Sequence, residues 1–458
     1  MDRAIEQKTD ALAEEYVAGK MSRRQFVTGL LGLGLSIPVA GSVLAACTAN
    51  VPTTTANTAA ASGSELSGTV RFLIGSWTDN EKQYQQVIGD AFTKLHPKVS
   101  FTFDLFDWNT ASTQVDNSLT QNAHDIYYTG ESQLIYRQNQ SGMADLTSRI
   151  NDPAWASEKA KYLNWDRIEA YGPKIMGLPV CADFEDILFV NMDMVQAAGF
   201  DETFVNDWET FVACVTAMTK GKSCYGFGMG MQLGGYGEHY QWIRASGGTY
   251  LNADQTAPAI NTPEVEAGFQ QLVDLWKAGV VPPQGMFTYD TAPQAFAGGR
   301  MAIYSSDMSI GAVLQGGSPA PSFNWKVLPW PPGLKSQLSF NDLGFYSMSS
   351  KMDQDLGWEV LKFWTNGPES AYWASLSGVY PSRSDADASG YSKQAVQQIA
   401  DATDALQKVG VGPEAFQAYD TVDGQAFQQF QNAYSGKITV QACLQNVEKI
   451  INHEVFNK

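Results

Sequence analysis

The chain has 458 residues, with 30 Lys and Arg against 48 Asp and Glu, for a formal net charge of −18 at pH 7. That acidity argues against a nucleic-acid partner, which needs a basic face. The length is more than one ordinary core fills and suits two lobes.

The first segment to separate from the fold is "MSRRQFVTGLLGLGLSIPVAGSVLAAC", Met21 to Cys47. Arg23 and Arg24 stand just before Phe26 and an apolar run from Val27 to Ala46, a charged region followed by a hydrophobic one. "SRRQF" resembles the twin-arginine export signal, a receptor-read address rather than an anchor. The run is Gly-rich and contains Pro38, so it is a poor permanent span. Its end, "LAAC", resembles the bacterial lipobox, which implies acylation of the Cys47 thiol and cleavage in front of it. Two or more buried acyl chains then hold a protein at a membrane where one does not. Residues 48–65 are Thr, Ala, Ser and Asn with almost no large apolar group. They cannot bury enough surface to offset their ordering entropy, and read as a flexible tether.

The globular part begins near Leu66. "GTVRFLIG" (Gly68–Gly75) reads as a strand. From Asn80, Tyr84, Val87, Ile88, Ala91, Phe92 and Leu95 recur at helical spacing until Pro97. "VSFTFDL" alternates as a half-buried strand, a helix with Val115 and Leu119 follows, then the strand "DIYY" (Asp125–Tyr128). Alternating strands and helices predict a parallel, doubly wound sheet. "GLPV" breaks the chain at Gly177–Val180, and "DILFVN" (Asp186–Asn191) opens a second α/β unit. Asn206 with Glu209 has capping-box spacing for a helix carrying Trp208 and Phe211. "YGFGMGM" predicts a strand. Thr262, Pro263, Glu264 and Glu266 start a helix that Gly279 ends. Residues 316–342 are irregular, helices are expected over 355–366 and 369–377, and 412–458 reads as Gln-rich amphipathic helix.

Several chemistries are not indicated. His96, His124, His239 and His453 form no i, i+4 pair, and there is neither HExxH nor CxxC, so no metal site is expected. Gly130–Leu134 lacks the last glycine of a nucleophile elbow. Gly221-Lys222-Ser223 has Thr216 where a phosphate loop needs its first glycine. Gly226, Gly228 and Gly230 miss the third position of a dinucleotide fingerprint. No cofactor and no catalytic residue are therefore expected, and no carboxylate pair is marked for glycosidic chemistry. Four cysteines remain besides Cys47. Cys214 and Cys224 would close a short loop between a helix and the next strand, a pairing that geometry allows and sequence leaves open.

Taken in order, several segments resemble the extracellular solute-binding proteins of carbohydrate ABC importers, the family-one group that includes maltose- and trehalose-binding proteins. The likeness spans about residues 66 to 458 and rests on joint order, since each motif is short. It runs through "GLPV…DILFVN", "NDWETF", "ASGGTYLN" (Ala245–Asn252), "FAGGRMAIY" (Phe296–Tyr304) and "GVYPSR" (Gly378–Arg383). The sequence departs from the family at His124, where proline is usual, at Val205 and Asn206, and at Asp307-Met308, where a tryptophan is common.

The resemblance implies two doubly wound α/β lobes joined by a hinge of two or three crossings near 180–184, 342–346 and within 385–412. The N-terminal lobe would comprise 66–180 and 344–400, the C-terminal lobe 184–341 and 412–458. A carbohydrate would lie between the lobes at the C-terminal ends of strands, where open α/β sheets bind ligands, and twelve Trp with nineteen Tyr would supply stacking rings. The candidate ligand residues are Ser76, Trp77 and Glu81 after the first strand, Asp107 and Trp108 after the second, Glu131, Asp183 at a crossing, Tyr236, Tyr240 and Trp242, Gly344 and Phe345, and Arg383. Trp208, Trp276, Trp364 and Trp373 fall on helix stripes and are assigned to core. The expected protein is a lipid-anchored, extracytoplasmic monomer without turnover that delivers its sugar to an ABC permease. A non-sugar polar solute on the same fold, a secreted carbohydrate-active enzyme and a surface adhesion lipoprotein are the alternatives.

Overall fold

The computed structural model describes residues 65–458 apart from 79, 185–186, 229–237, 288–290, 317–319, 337–338 and 387–409. Arg23, Arg24, Cys47, the segment 48–64, Tyr236 and most of the crossing expected within 385–412 lie outside the described residues.

The strands are β1 Gly68–Gly75, β2 Val99–Phe106, β3 Ile126–Gly130, β4 Leu178–Phe184, β5 Ile187–Asn191, β6 Ile303–Ser306, β7 Trp325–Leu328, β8 Ser339–Met348, β9 Tyr380–Pro381 and β10 Gly410–Val411. The first sheet has the order β2-β1-β3-β8-β4-β9, with β10 on β8; the second is β6-β5-β7. β1 pairs with β2 and β3 in parallel, as the alternating strand and helix pattern predicts. β8 enters antiparallel between β3 and β4, so the sheet is mixed. The three strands of the second sheet are antiparallel. Tyr225 and Gly228 of the expected "YGFGMGM" strand make only isolated parallel bridges to Met301 and Tyr304.

Among the described residues the buried apolar side chains form three clusters, the third being Ile187, Phe189, Phe296, Met301, Tyr304, Trp325 and Val327 with their neighbours beside the second sheet. The first gathers the inward residues of β1–β4 and β8 with Trp364 and Trp373. The second gathers Leu188, Val190, Phe211, Trp242, Phe269 and Trp330 with the C-terminal helices Tyr419–Tyr434 and Val440–Phe456. The chain passes between the first and the other two from β4 to β5 and returns from β7 to β8. The "GLPV" break is in fact the start of β4. Pro179 sits where the β4–β8 register shifts, the kind of place a strand tolerates a residue without an N–H.

Local rules explain several helix ends. Thr262 Oγ1 accepts from the Val265 N–H, with Pro263 behind it. The helix Trp208–Met218 is capped one residue later than expected: Asp207 Oδ1 accepts from the Thr210 N–H at 2.8 Å. An aspartate beside an asparagine competes for the same role, and its charge favours the positive helix end. No helix among the described residues is long and apolar enough to cross a membrane.

The helix Glu81–Leu95 is rotated from the apolar stripe that its sequence suggests. Its buried residues are Glu81, Gln85, Ile88, Gly89 and Phe92, while Val87 and Leu95 are exposed. Two polar side chains take core positions because they complete a network. Gln85 Nε2 donates to Glu81 Oε1 and Tyr346 Oη, Trp364 Nε1 donates to Gln85 Oε1, and Trp373 Nε1 and Ser377 Oγ donate to the Glu81 carboxylate.

The crossing strand β8 is closely packed at Gly344. A Cβ there would overlap Tyr128 Oη and stand 2.6 Å from Cys181 Sγ. Gly344→Ala should lower stability by about 1–3 kcal/mol, the usual range for overpacking, and urea unfolding would read it; an unchanged midpoint would mean that β3 and β8 shift freely.

Candidate functional site

The loops at the C-terminal ends of β1 and β2 carry an aromatic group. Trp77 follows β1, and Trp108 opens the short 3-10 turn after β2. Their rings meet edge to face with centroids 4.8 Å apart. Tyr128 of β3 lies 5.6 Å from Trp77 and 5.9 Å from Trp108. Trp373, from the helix Gly367–Ser377, closes the base at 6.0 Å from Trp77 and 6.2 Å from Tyr128. Trp108 is 37% exposed, and its Nε1–H donates to Ser76 O at 3.2 Å. Gly75 makes this fit possible, since a Cβ there would overlap the Trp108 indole. Ser76 and Asp107 are exposed beside the rings. Trp77 Nε1 is buried and has no hydrogen-bond partner, which leaves a donor for an incoming acceptor.

Carboxylates gather next to the rings, where strands pass between the lobes. Asp183 on β4 stands opposite Asp342 on β8, so their side chains share a face of the sheet. Asp183 is 6% exposed. The Met308 N–H donates to its carboxylate, and its Oδ1 has no partner. Burial, with the charges of Asp307 and Asp342 added, holds the Asp183 carboxyl well above the usual carboxylate range. Asp307 follows β6 and accepts from the Ser309 N–H at 3.0 Å and from the Ser309 and Ser306 hydroxyls. Asp342 Oδ1 accepts from the Glu131 N–H at 3.2 Å. Its carboxyl is also lifted well above the usual range by burial and then by the Glu131 charge. Tyr128 joins the two groups: its ring belongs to the aromatic set, and its Oη is 3.5 Å from Cys181 Sγ at the crossing.

The expected site residues divide sharply. Ser76, Trp77, Asp107, Trp108 and Asp183 lie at strand ends or on the crossing. Glu81, by contrast, is fully buried and bonded within the network described above. Glu131 is fully buried and is held by Arg167, the Tyr171 hydroxyl and the Leu343 N–H. Tyr240 and Trp242 are fully buried in the second core; their polar atoms go to Glu414 Oε1 at 2.8 Å and Gly268 O at 2.6 Å. Phe345 is core, edge-on to Tyr171. The Gly344 backbone is approached by Tyr128 and Cys181. Arg383 is 4% exposed, paired with Asp385 and Glu158, and set over the Tyr162 ring. In the structure these six already spend their polar or apolar side-chain surface inside the protein, and Gly344 is closely packed.

The expected Cys214–Cys224 pairing is corrected. All four described cysteines are free and buried. Burial pushes the Cys214 thiol up to about 12, and Cys224 Sγ donates to Tyr225 O. Of the four tryptophans assigned to core, Trp364 and Trp373 are 1% exposed, and Trp208 and Trp276 pack half-buried on the second core. Tyr128, Asp307 and Asp342 join the candidate group without having been singled out from the sequence, Tyr128 as the buried ring beneath Trp77 and Trp108. The Asp307-Met308 departure was the visible signal for one of them. The cross-strand position of Asp342 leaves no mark in the sequence.

A family profile described as "Bacterial extracellular solute-binding protein" matches residues 88–409. No curated protein sequence matches the chain. Among solved structures, the chain is similar to the GacH receptor of Streptomyces glaucescens GLA.O, described unliganded and with acarbose and an acarbose homolog. The TM-score is 0.73 and the identity 17%, covering 86% of this chain and 100% of that one. It is similar to an ABC substrate-binding protein from Listeria monocytogenes in complex with cycloalternan, with TM-score 0.71, 17% identity, and 84% and 98% coverage. It is also similar to maltose-bound MalE3 of T. maritima, with TM-score 0.71, 16% identity, and 83% and 98% coverage.

Proposed function

Because the chain belongs to the bacterial extracellular solute-binding proteins, we propose that it captures a carbohydrate between its lobes and delivers it to an ABC importer permease. The observation that carries this reading is the ring group Trp77, Trp108 and Tyr128 at the ends of β1–β3, beside the unpartnered carboxylate oxygen of Asp183 at the crossing. Rings stack on the apolar face of a sugar, and a carboxylate takes its hydroxyls. Hinge closure about the β4–β5 and β7–β8 crossings brings groups of both lobes onto the ligand, so that ligand stabilises the closed form.

The protein works as a monomer without turnover. It is exported through the Arg23-Arg24 signal and held at the membrane by lipid on Cys47. Structures of similar fold, described with acarbose, cycloalternan and maltose, support a saccharide over other polar solutes.

Thermal melts against mono- and oligosaccharides, sugar phosphates, polyamines and amino acids test this. A sugar at about a thousand times its dissociation constant stabilises by roughly 4 kcal/mol and is recovered unchanged. Trp108→Ala should weaken that sugar roughly tenfold, from about 1.5 kcal/mol of lost stacking. A shift with only a non-sugar would remove the carbohydrate, and cleavage of the sugar would remove the transport role.

A further inference from the structure

Asp183 stands out chemically in the cleft region. It is 94% buried by its 6% exposure, and one carboxylate oxygen is bonded to nothing. Its charged neighbours are Asp307 and Asp342, both of its own sign. No Lys, Arg or His among the described residues forms an ion pair with Asp183 or Asp342; Arg167, whose charge acts on Asp342, is bonded to Glu131. With no opposite charge to offset the desolvation of the ionised form, the buried Asp183 carboxyl favours its protonated form in the free protein. A cation arriving from outside favours the ionised form and displaces that proton.

The geometry narrows the kind of cation. Among the described residues, no three His, Cys, Asp or Glu side chains converge tightly enough to hold a metal ion. Asp183 on β4 instead faces Asp342 across the β4–β8 pairing, and the Asp307 charge acts on it from the segment after β6, so acceptors from three segments are on offer to a group that forms several directional N–H bonds. The aromatic side adds to this. Trp77, Trp108 and Tyr128 present ring faces and edges within one group, and cations near indole and phenol faces gain cation–π attraction. Asp183 belongs to β4 and Met308 to the segment after β6, so their hydrogen bond spans the two sheets.

We infer that the ligand carries a protonated amine, and that Asp183, with Asp307 and Asp342, forms the subsite that receives it: the preferred solute is an amine-bearing saccharide rather than a neutral one. This rests on the carbohydrate reading above and adds the charge of the ligand to it. In binding, Asp183 Oδ1 accepts from the ammonium group while the sugar rings lie toward Trp77 and Trp108.

The test uses the purified full chain and matched saccharides of equal length: a glucosamine oligosaccharide, its N-acetylated form and the corresponding glucose oligosaccharide, with spermidine as a fourth probe. Calorimetry at pH 7 should give at least tenfold tighter binding for the free amine than for either neutral saccharide. Asp183→Asn should reduce that preference toward one, and Asp342→Asn gives the same reading if the first variant does not fold. Equal or tighter binding of a neutral saccharide overturns the amine subsite and keeps the carbohydrate reading. Spermidine bound as tightly as the amine saccharide overturns the saccharide part and keeps the cation site. No binding of any of the four overturns both. A preference that survives both variants overturns the assignment to this cluster.

Discussion

Arg167→Met will lower the stability of the fold by about 3–5 kcal/mol, the cost of leaving a buried charge without its partner. Glu131 is fully buried, and among the described residues its one ion-pair partner is Arg167. Burial lifts its carboxyl, and the Arg167 guanidinium opposes the lift. Without that guanidinium, the Tyr171 hydroxyl and the Leu343 N–H are all that remain on the carboxylate. The same pair braces the crossing. The Glu131 N–H binds Asp342, the Leu343 N–H binds Glu131, and Gly412 lies so close to Arg167 that a Cβ there would overlap the guanidinium. Urea unfolding of Arg167→Met and of the double variant with Glu131→Gln reads the effect. The double variant should recover part of the loss, because an amide needs no counter-charge. A single variant within about 1 kcal/mol of the parent, as for an exposed pair, would show that the pair is solvated.

The second large effect is a pH dependence opposite to that of most carboxylates. Burial pushes Glu81 up to about 7 from 4.5, against hydrogen bonds from Gln85, Trp373 and Ser377. Burial likewise pushes Asp423 up to about 7, against the hydrogen bond from the Tyr250 hydroxyl. A carboxyl raised in the folded state holds its proton there while the unfolded chain releases it. Its contribution is therefore fully present below about pH 4.5 and is lost as pH rises through about 7. For Glu81 the difference between pH 4.5 and 8 is on the order of 3 kcal/mol. Carboxyls held low by their partners, such as Asp104 beside His124 and Glu158 beside Lys161, act in the other direction only at more acidic pH. Stability should thus fall from pH 5 to 8, and Glu81→Gln should flatten that slope. Equal slopes for the parent and Glu81→Gln would mean that Glu81 is ionised in the fold throughout.

Much of the fold is legible in the sequence, because the signals involved are local. The alternation of "VSFTFDL", the Thr262-Pro263 start and Gly279 stop of one long helix, and the order of strands and helices each depend on neighbours a few residues away. The parallel pairing of β1 with β2 and β3 follows from that order. The family is likewise reachable, since its segments keep their sequence order even when each is degenerate. The site is less legible. Ser76, Trp77, Asp107 and Trp108 can be nominated for the proposed site because they follow strands, and strand ends are where open α/β sheets place ligands. Glu81, Glu131, Tyr240, Trp242 and Arg383 look equally suitable on that rule, yet each has its partner inside the fold.

The sequence by itself determined the alternating α/β plan, the helix limits set by capping residues, and membership of a solute-binding family. Those features follow from periodicity, local hydrogen bonding and motif order, all of which act along the chain. Only the tertiary structure decided which polar side chains are already satisfied. Glu81 is 292 residues from the Trp373 that donates to it, and Gln85 is 261 from Tyr346. Asp183 and Asp342 become neighbours only when β4 and β8 pair. Whether a carboxylate is spent on the core or left for a ligand depends on partners hundreds of residues away, and on the burial that makes an unsatisfied one costly.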